Sequence, residues 1–402
     1  MKVIYLFVLL AFSFLKISAA DKDIETIIEN SKTGEKLRVY NKIPATPVKD
    51  QYKTNTCWSF SGISLLESEL IRMGKGEFDL SEMFIVRYDY ERKAIRYMRM
   101  HGKTNFAPGG ETNDVTDVIN HFGIVPEEVY TVLKVDALHH VHGEMDRVLQ
   151  KYLDALLANP DKELSPVWKE GFNRLLDSYL GELPDKFTYH DTTYTPFSFA
   201  EYLDVDPSDY IMITSFIHHP YYEPVILEIP DNWSWAESYN VPLDVLVEIV
   251  DSALFKGYSV AWAADITEKG FSFKSGLALV PKTLYAPELE KERNNWLKKT
   301  EDEREDILFD LNNPIEELNV TPELRQYAFD NYSTTDDHGM HIVGLAQDKN
   351  GKYYYYIKNS WGDENPYDGY QFVSKPYFQY KTISIMLNKE ALPLRVIHDL
   401  SL

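Results

Sequence analysis

Cysteine is the residue this chain most conspicuously lacks: Cys57 is the only one in 402 residues, so no internal disulfide can form. Positive charge is also scarce. With 41 Lys and Arg against 63 Asp and Glu, the formal net charge is −22, and a surface this acidic repels phosphate backbones. No nucleic-acid partner is expected. Long hydrophobic runs are missing too, since the apolar stretch from Val3 to Leu15 falls short of the roughly 20 residues that cross a bilayer. No internal repeat, low-complexity tract or Gly/Ser-rich linker is present. The length suffices for a sizeable core in one large or two or three ordinary domains.

What is present begins with Lys2, the apolar run, and the small residues Ser18 and Ala20. This pattern describes a secretory signal peptide over 1–20, cleaved after Ala20, with residues 21–402 as the mature unit. A membrane anchor is the alternative, which the short run disfavours. Export to the periplasm or medium is expected, without stable membrane insertion after cleavage. A lone thiol in an exported protein is a liability, because it can oxidise or cross-link. As a buried hydrophobe it would need no chemical role; the residues around it supply one.

Asp21 to Ile43 is a polar lead with little periodicity, and Pro44 to Thr56 reads as extended or loop. Apolar residues recur at helical spacing from Cys57 to Met73, ending at Gly74 and Gly76. Leu80 to Met100 is a second helix with Ser81 as its N-cap, and Val115, Val118, Ile119 and Phe122 mark a third, after the Pro108-Gly109-Gly110 turn. A charged helical pattern follows, read as an insertion over about 134–205. Strands are expected at Tyr210 to Phe216 and Tyr258 to Ala264, with a helix from Pro242 to Phe255 between them. An acidic helical insertion covers about 286–320. The end is β-rich: His341 to Ala346, Tyr353 to Asn359, Gly369 to Val373 and Thr382 to Asn388, with Asn350-Gly351 as a hairpin signal. Helices first and antiparallel strands later make an α+β layout.

A thiol hydrolase needs an ionisable sulfur, a base beside it, a group to orient the base, and a donor for the oxyanion. Cys57 at a helix start has the positive end of that helix aimed at its sulfur, which favours the thiolate, as does a nearby imidazolium. Gln51, six residues earlier, can present a side-chain amide beside the Cys57 N–H. His338 begins one strand and Asn359 ends the next, so a strand–turn–strand pair can bring them together.

The ordered set Gln51…Cys57-Trp58, Gly109-Gly110, His338-Gly339-Met340 and Asn359-Ser360-Trp361-Gly362 resembles the papain superfamily. The stretch Asn120-His121-Phe122-Gly123-Ile124-Val125-Pro126 lengthens the match. Cys57 and His338 stand 281 positions apart (338 minus 57), against roughly 130–150 in ordinary papain-like enzymes. That excess is similar to the bleomycin hydrolase and aminopeptidase C branch, and the likeness spans roughly Pro44 to Leu392.

The resemblance implies a papain-like two-lobed fold, a helical lobe carrying Cys57 and an antiparallel β lobe carrying His338 and Asn359, with helical insertions. It implies a cysteine-type aminopeptidase acting on peptides through a thioester acyl-enzyme, without metal or other cofactor, and often hexameric. Cys57 would be the nucleophile, His338 the base and acid, Asn359 its orienter, and Gln51 an oxyanion donor. Gly109, Gly110 and Trp58 would line the substrate site, and Trp361 would shield the His338–Asn359 pair from water.

Two departures stand out. Thr54-Asn55-Thr56 replaces the usual Ser-Gly-Arg or Gly-Ser before the nucleophile. The branch's C-terminal arm, whose carboxylate holds the substrate amine, is reduced to Lys389 to Leu402. Either the Leu402 carboxylate reaches the cleft, or the exopeptidase restriction is lost and the protein is an oligopeptidase or endopeptidase. An inactive papain-like binding scaffold is the reading from another class. His341 is the rival to His338; His139, His142 and Glu144 are read as a polar helix face and not as metal ligands, and His218-His219 as a loop.

Overall fold

A computed structural model describes residues 26–29, 34, 36–132, 139–161, 163–285 and 290–402. The expected signal peptide and the ends of both insertions, at 134–138 and 286–289, lie outside the described residues.

The first helix, Cys57–Arg72, is the hinge of the architecture. Ile63, Leu66 and Leu70 point into a helical core shared with helices Glu82–Arg99 and Asn113–Phe122. Leu65, on another face, packs on Met212, Ala261 and Met386 of the sheet. Ser81 caps the second helix as expected, accepting the Phe84 N–H at 3.1 Å.

The first insertion adds helices Gly143–Leu157 and Trp168–Leu180 to this helical lobe, burying Met145, Leu149, Leu153, Phe172 and Leu176. It is not helical throughout. Phe187–Tyr189 and Thr192–Tyr194 form a hairpin before helix Pro196–Leu203. His139 and His142 precede the first of these helices and do not share a helix face. His139 stacks on Tyr52 and Val141 bridges to Lys53, so the insertion braces the loop that leads into Cys57.

The second lobe is built on one twelve-stranded sheet among the described residues. Its centre runs Tyr210–Thr214, Thr382–Asn388, Val260–Ala264, His338–Gln347, Tyr353–Lys358 and Tyr370–Ser374, all neighbours antiparallel. The strand expected from His341 starts three residues earlier, at His338. Asp21 to Ile43 is not featureless: Thr26–Glu29 and Lys36–Tyr40 pair, and the latter adds to the sheet beside Leu345–Gln347. The alternation of Leu37 and Val39, both fully buried, is the physical reason.

The sheet has two covered faces. Ile385, Leu387, Trp262 and Ile342 face helix Leu243–Phe255 and the C-terminal residues Ala391, Leu392, Val396 and Leu400. Met386 and Ala261 face the Cys57 helix. The acidic segment forms helices Glu290–Leu297 and Glu301–Leu308, largely exposed, each burying one side chain, Trp296 and Leu308.

Candidate active site

Thr56 occupies the N-cap of the Cys57 helix, yet its hydroxyl donates to Thr54 Oγ1 at 2.8 Å and caps nothing. The N–H of Cys57 meets no acceptor among the described residues, as befits a first-turn donor left open. The turn before it needs a left-handed residue, and Asn55, with φ of 56°, supplies one where glycine is usual.

The backbone N–H groups of Gly339, next to His338, and of Trp58 favour the Cys57 thiolate. The strand can come this close because position 339 has no side chain. A Cβ there would lie 3.2 Å from the Trp58 N and Cα and 3.3 Å from the Cys57 carbonyl carbon. The start of the His338 strand thus packs against the first residues of the Cys57 helix. The Nε2 of His338 is 2.8 Å from Asn359 Oδ1, which leaves Nδ1 as the ring nitrogen available to sulfur.

Asn359 is itself oriented, by a residue the motif reading missed. Its Nδ2 donates to Gln371 Oε1 at 2.6 Å, which turns Oδ1 toward the imidazole. Only the pairing of the strands at Lys358 and Tyr370 brings Gln371 there, and no local pattern marks it. Trp361 stacks on His338 with centroids 4.5 Å apart and is met edge-on by Phe271 and Phe273. The 2.8 Å hydrogen bond thus lies under an aromatic cover.

Gln51 is buried, and its Oε1 accepts the Ser360 hydroxyl at 2.7 Å, while its backbone N–H donates to Ser360 O. The amide is fixed with its NH2 as the half left to donate. The Cys57 N–H and this NH2 are the two donors an oxyanion beside the thiol would use.

The sulfur and the imidazole are both partly desolvated. Burial pushes the Cys57 thiol up to about 12, opposed by the Gly339 N–H and reinforced by Asp336 and Asp231. Burial drives His338 down to about 4 against the supporting Asn359 contact. Burial thus opposes the thiolate that the sequence reading expects, and it favours the neutral imidazole. A neutral imidazole is the form able to accept a proton.

Trp58 donates from Nε1 to the Pro108 carbonyl at 3.0 Å, and a Cβ on Gly110 would lie 3.0 Å from its ring. The Gly109 carbonyl is taken by Lys93 Nζ. Gly110 makes no backbone hydrogen bond among the described residues.

His341 has different surroundings. Its Nδ1 is 2.9 Å from Ser64 Oγ, and Lys358 also donates to Ser64, so it belongs to a buried polar network between the lobes. Leu402 requires a correction. Its N–H bonds to Ile397 O, and Val396 and Leu400 pack in the core under helix Leu243–Phe255. That core lies on the sheet face opposite the Cys57 helix, so the structure does not bring Leu402 to the thiol.

His218, His219 and Glu228 converge elsewhere, both imidazole Nε2 atoms lying 3.0–3.3 Å from Glu228 Oε2. Gln326, Phe216 and Phe329 surround His218.

Comparison with known proteins fits this geometry. Residues 323–401, which contain His338, Asn359 and Trp361, match the model of the Peptidase C1-like family. The chain is 24% identical to aminopeptidase G of Lactobacillus delbrueckii subsp. lactis, over 92% of this chain and 87% of that one. It is 23% identical to aminopeptidase C of the same organism, over 88% and 81%. The solved structure of PepW from Lactobacillus rhamnosis HN001 superposes with a TM-score of 0.67 at 18% identity, covering 90% of this chain and 84% of that one. The fold is papain-like α+β, and the resemblance to the bleomycin hydrolase and aminopeptidase C branch is borne out.

Proposed function

We propose that the protein is a cysteine-type aminopeptidase that removes residues from peptide N-termini through a thioester on Cys57. The observation that carries the reading is a chain of contacts. Gly339 packs against the backbone of Cys57 and Trp58, its neighbour His338 is locked to Asn359 at 2.8 Å, and Ser360, next to Asn359, fixes the Gln51 amide. Relatives named as aminopeptidases match across most of the chain.

In this reading Cys57 Sγ attacks the scissile carbonyl carbon while His338 Nδ1 takes the thiol proton. The oxyanion is met by the Cys57 N–H and Gln51 Nε2. Collapse expels the amine, which takes the proton back from His338, and water then hydrolyses the thioester with His338 again as base. No residue in this cycle calls for a metal or cofactor.

Intact-mass measurement after acid quench tests the reading. An acyl adduct on Cys57 is expected during turnover of an aminoacyl ester or amide, absent in Cys57→Ala. Turnover surviving Cys57→Ala would refute it. The alternative, an endopeptidase or oligopeptidase, is favoured by the placement of Leu402 across the sheet, away from the thiol. Internal cleavage of blocked peptides would establish it.

Export is part of the proposal, supported by Lys2, the apolar run to Leu15 and the small residues at Ser18 and Ala20. A mature N-terminus at Asp21 is the expected result of N-terminal sequencing. A hexamer follows from the family resemblance alone, and light scattering of the purified protein tests it.

A further inference from the structure

His218, His219 and Glu228 take no part in the peptidase reading, yet their side chains are arranged for a task. The two histidines sit in the loop that leaves strand Tyr210–Thr214, and Glu228 stands just beyond strand Pro224–Ile226. Both rings converge on one carboxylate oxygen: Glu228 Oε2 is 3.3 Å from His218 Nε2 and 3.0 Å from His219 Nε2. The three atoms lie within 4.8 Å of one another. The side chains stay open to solvent, 31% exposed at His218, 19% at His219 and 64% at Glu228.

The surroundings of His218 fix which of its ring nitrogens carries the proton. Gln326 Oε1 accepts the backbone N–H of Ile217 at 2.9 Å and that of His218 at 3.3 Å. At the other end of the amide, Gln326 Nε2 donates to Asp330 Oδ1 at 2.8 Å. These bonds allow one orientation of the amide, with its oxygen toward the His218 ring. His218 Nδ1, 3.0 Å from that oxygen, is therefore the donor. In the neutral ring Nε2 then carries a lone pair, aimed at the Glu228 carboxylate. Two acceptors 3.3 Å apart repel each other unless a positive centre joins them. A second proton on His218 is one such centre, and a metal ion is the other.

The arrangement favours the metal. A second proton serves the His218–Glu228 pair alone, whereas a metal uses all three groups. A tetrahedral ion with ligands at about 2.0 Å holds them roughly 3.3 Å apart, close to the two spacings around Glu228 Oε2. Gln326 on the Nδ1–H is the kind of outer partner that orients a metal-bound imidazole. The loop is also held in advance. Asn240 Nδ2 donates to the carbonyls of Phe216, His219 and Pro220, and Asn240 Oδ1 accepts the Phe216 N–H. Phe329 stacks on the His218 ring, and Leu227, next to Glu228, is buried against Phe216. Side chains so placed lose little freedom when an ion arrives.

We propose that His218 Nε2, His219 Nε2 and the Glu228 carboxylate bind a zinc-class divalent ion, with water in the fourth position. Two imidazoles and one carboxylate suit such an ion, while magnesium and calcium prefer oxygen ligands throughout. The ion ties the His218 loop to the segment that begins at Glu228. That segment runs on to the helical lobe, where the Pro230 carbonyl accepts Asn105 Nδ2 at 3.1 Å and Trp233 Nε1 donates to Asp114 Oδ2 at 2.8 Å. The role is structural and separate from the chemistry at Cys57.

Calorimetric titration of tag-free Cys57→Ala protein with zinc chloride tests the site, since that substitution removes the thiol as a competing ligand. One zinc ion per chain is expected, with no uptake of magnesium or calcium at the same concentrations. His219→Ala and Glu228→Gln change exposed side chains and should each weaken zinc binding at least tenfold. Gln326→Met, which takes away the acceptor for His218 Nδ1, should weaken it by about tenfold. Zinc should raise the melting temperature of the parent and leave that of the two ligand variants unchanged. Absence of zinc uptake would leave the three groups as an ion pair and overturn the proposal. Uptake that persists undiminished in His219→Ala and Glu228→Gln would place the metal elsewhere and overturn it equally. None of these readouts depends on peptide hydrolysis.

Discussion

His338 illustrates how a single side chain is tuned by what encloses it. Burial beside Trp361 lowers it to about 4, and the group is depressed, so its neutral form persists as pH falls until that value. With neutral imidazole as the base, kcat/KM on an uncharged substrate should hold down to about pH 5 and then fall. A pH–rate profile with its acidic limb near 6.5 would contradict this.

Glu111 and Asp336, whose carboxyls hydrogen-bond to each other, make a stability prediction. Both carboxyls are raised, so the folded state holds protons that the unfolded state has released above roughly pH 4, and folding is penalised progressively as pH rises. Glu111→Gln or Asp336→Asn should therefore raise the melting temperature by a few degrees at pH 7.5. At about pH 4 they should leave it unchanged. Differential scanning fluorimetry at both values checks it, and a fall at pH 7.5 would mean the pair is stabilising.

Gln371 belongs at this scale too. Its Oε1 fixes the Asn359 amide, so Gln371→Leu should free Asn359 to rotate. A drop of about tenfold in kcat with KM little changed is expected, equal to about 1.4 kcal/mol of transition-state stabilisation. A change in KM alone would assign Gln371 elsewhere.

Among the elements, the Cys57 helix and the His338 and Tyr353 strands were legible because each carries its own periodicity and punctuation. Ser81 as a cap and Asn350-Gly351 as a turn are local chemistry, and Gly351 indeed has a φ of 83°. The hairpin at Phe187–Tyr194 escaped notice because three-residue strands are too short for alternation to register. The strand Lys36–Tyr40 was passed over as polar, since its signal is two apolar residues whose value depends on pairing with Leu345–Gln347. Gln371 was illegible for the same reason: its role arises from the pairing of strands distant from Asn359 in pattern.

The turn before the nucleophile carries a prediction of its own. Asn55 at a φ of 56° replaces the glycine of related loops at little cost. Asn55→Gly should preserve both folding and activity. Asn55→Val should destabilise by about 1–2 kcal/mol and reduce turnover, because a β-branched residue resists that backbone and the loop leads straight into Cys57. Equal behaviour of the two variants in denaturant melts would show that the turn is unstrained.

At the scale of the whole molecule, the two lobes are joined by a buried polar network. Lys358 donates to Thr46 and Ser64, His341 meets Ser64, and Lys49 pairs with Glu82 at 2.7 Å. This seam holds the helix bearing Cys57 against the strands bearing His338 and Asn359. The motifs revealed the two halves of the site, but not this seam, nor that the chain's last residues would pack across the sheet from the thiol. Which face a terminal helix covers is decided by the shape of the core, and Val396 and Leu400 give no sign of it alone.

On this reading Cys57 drives removal of residues from free N-termini. The most direct test compares one peptide with its N-acetylated twin, under reducing conditions, by mass spectrometry, with Cys57→Ala as control. Stepwise loss of single residues from the free peptide only, abolished in Cys57→Ala, is the expected result. Internal cleavage of both peptides, or cleavage that survives the substitution, would contradict the account.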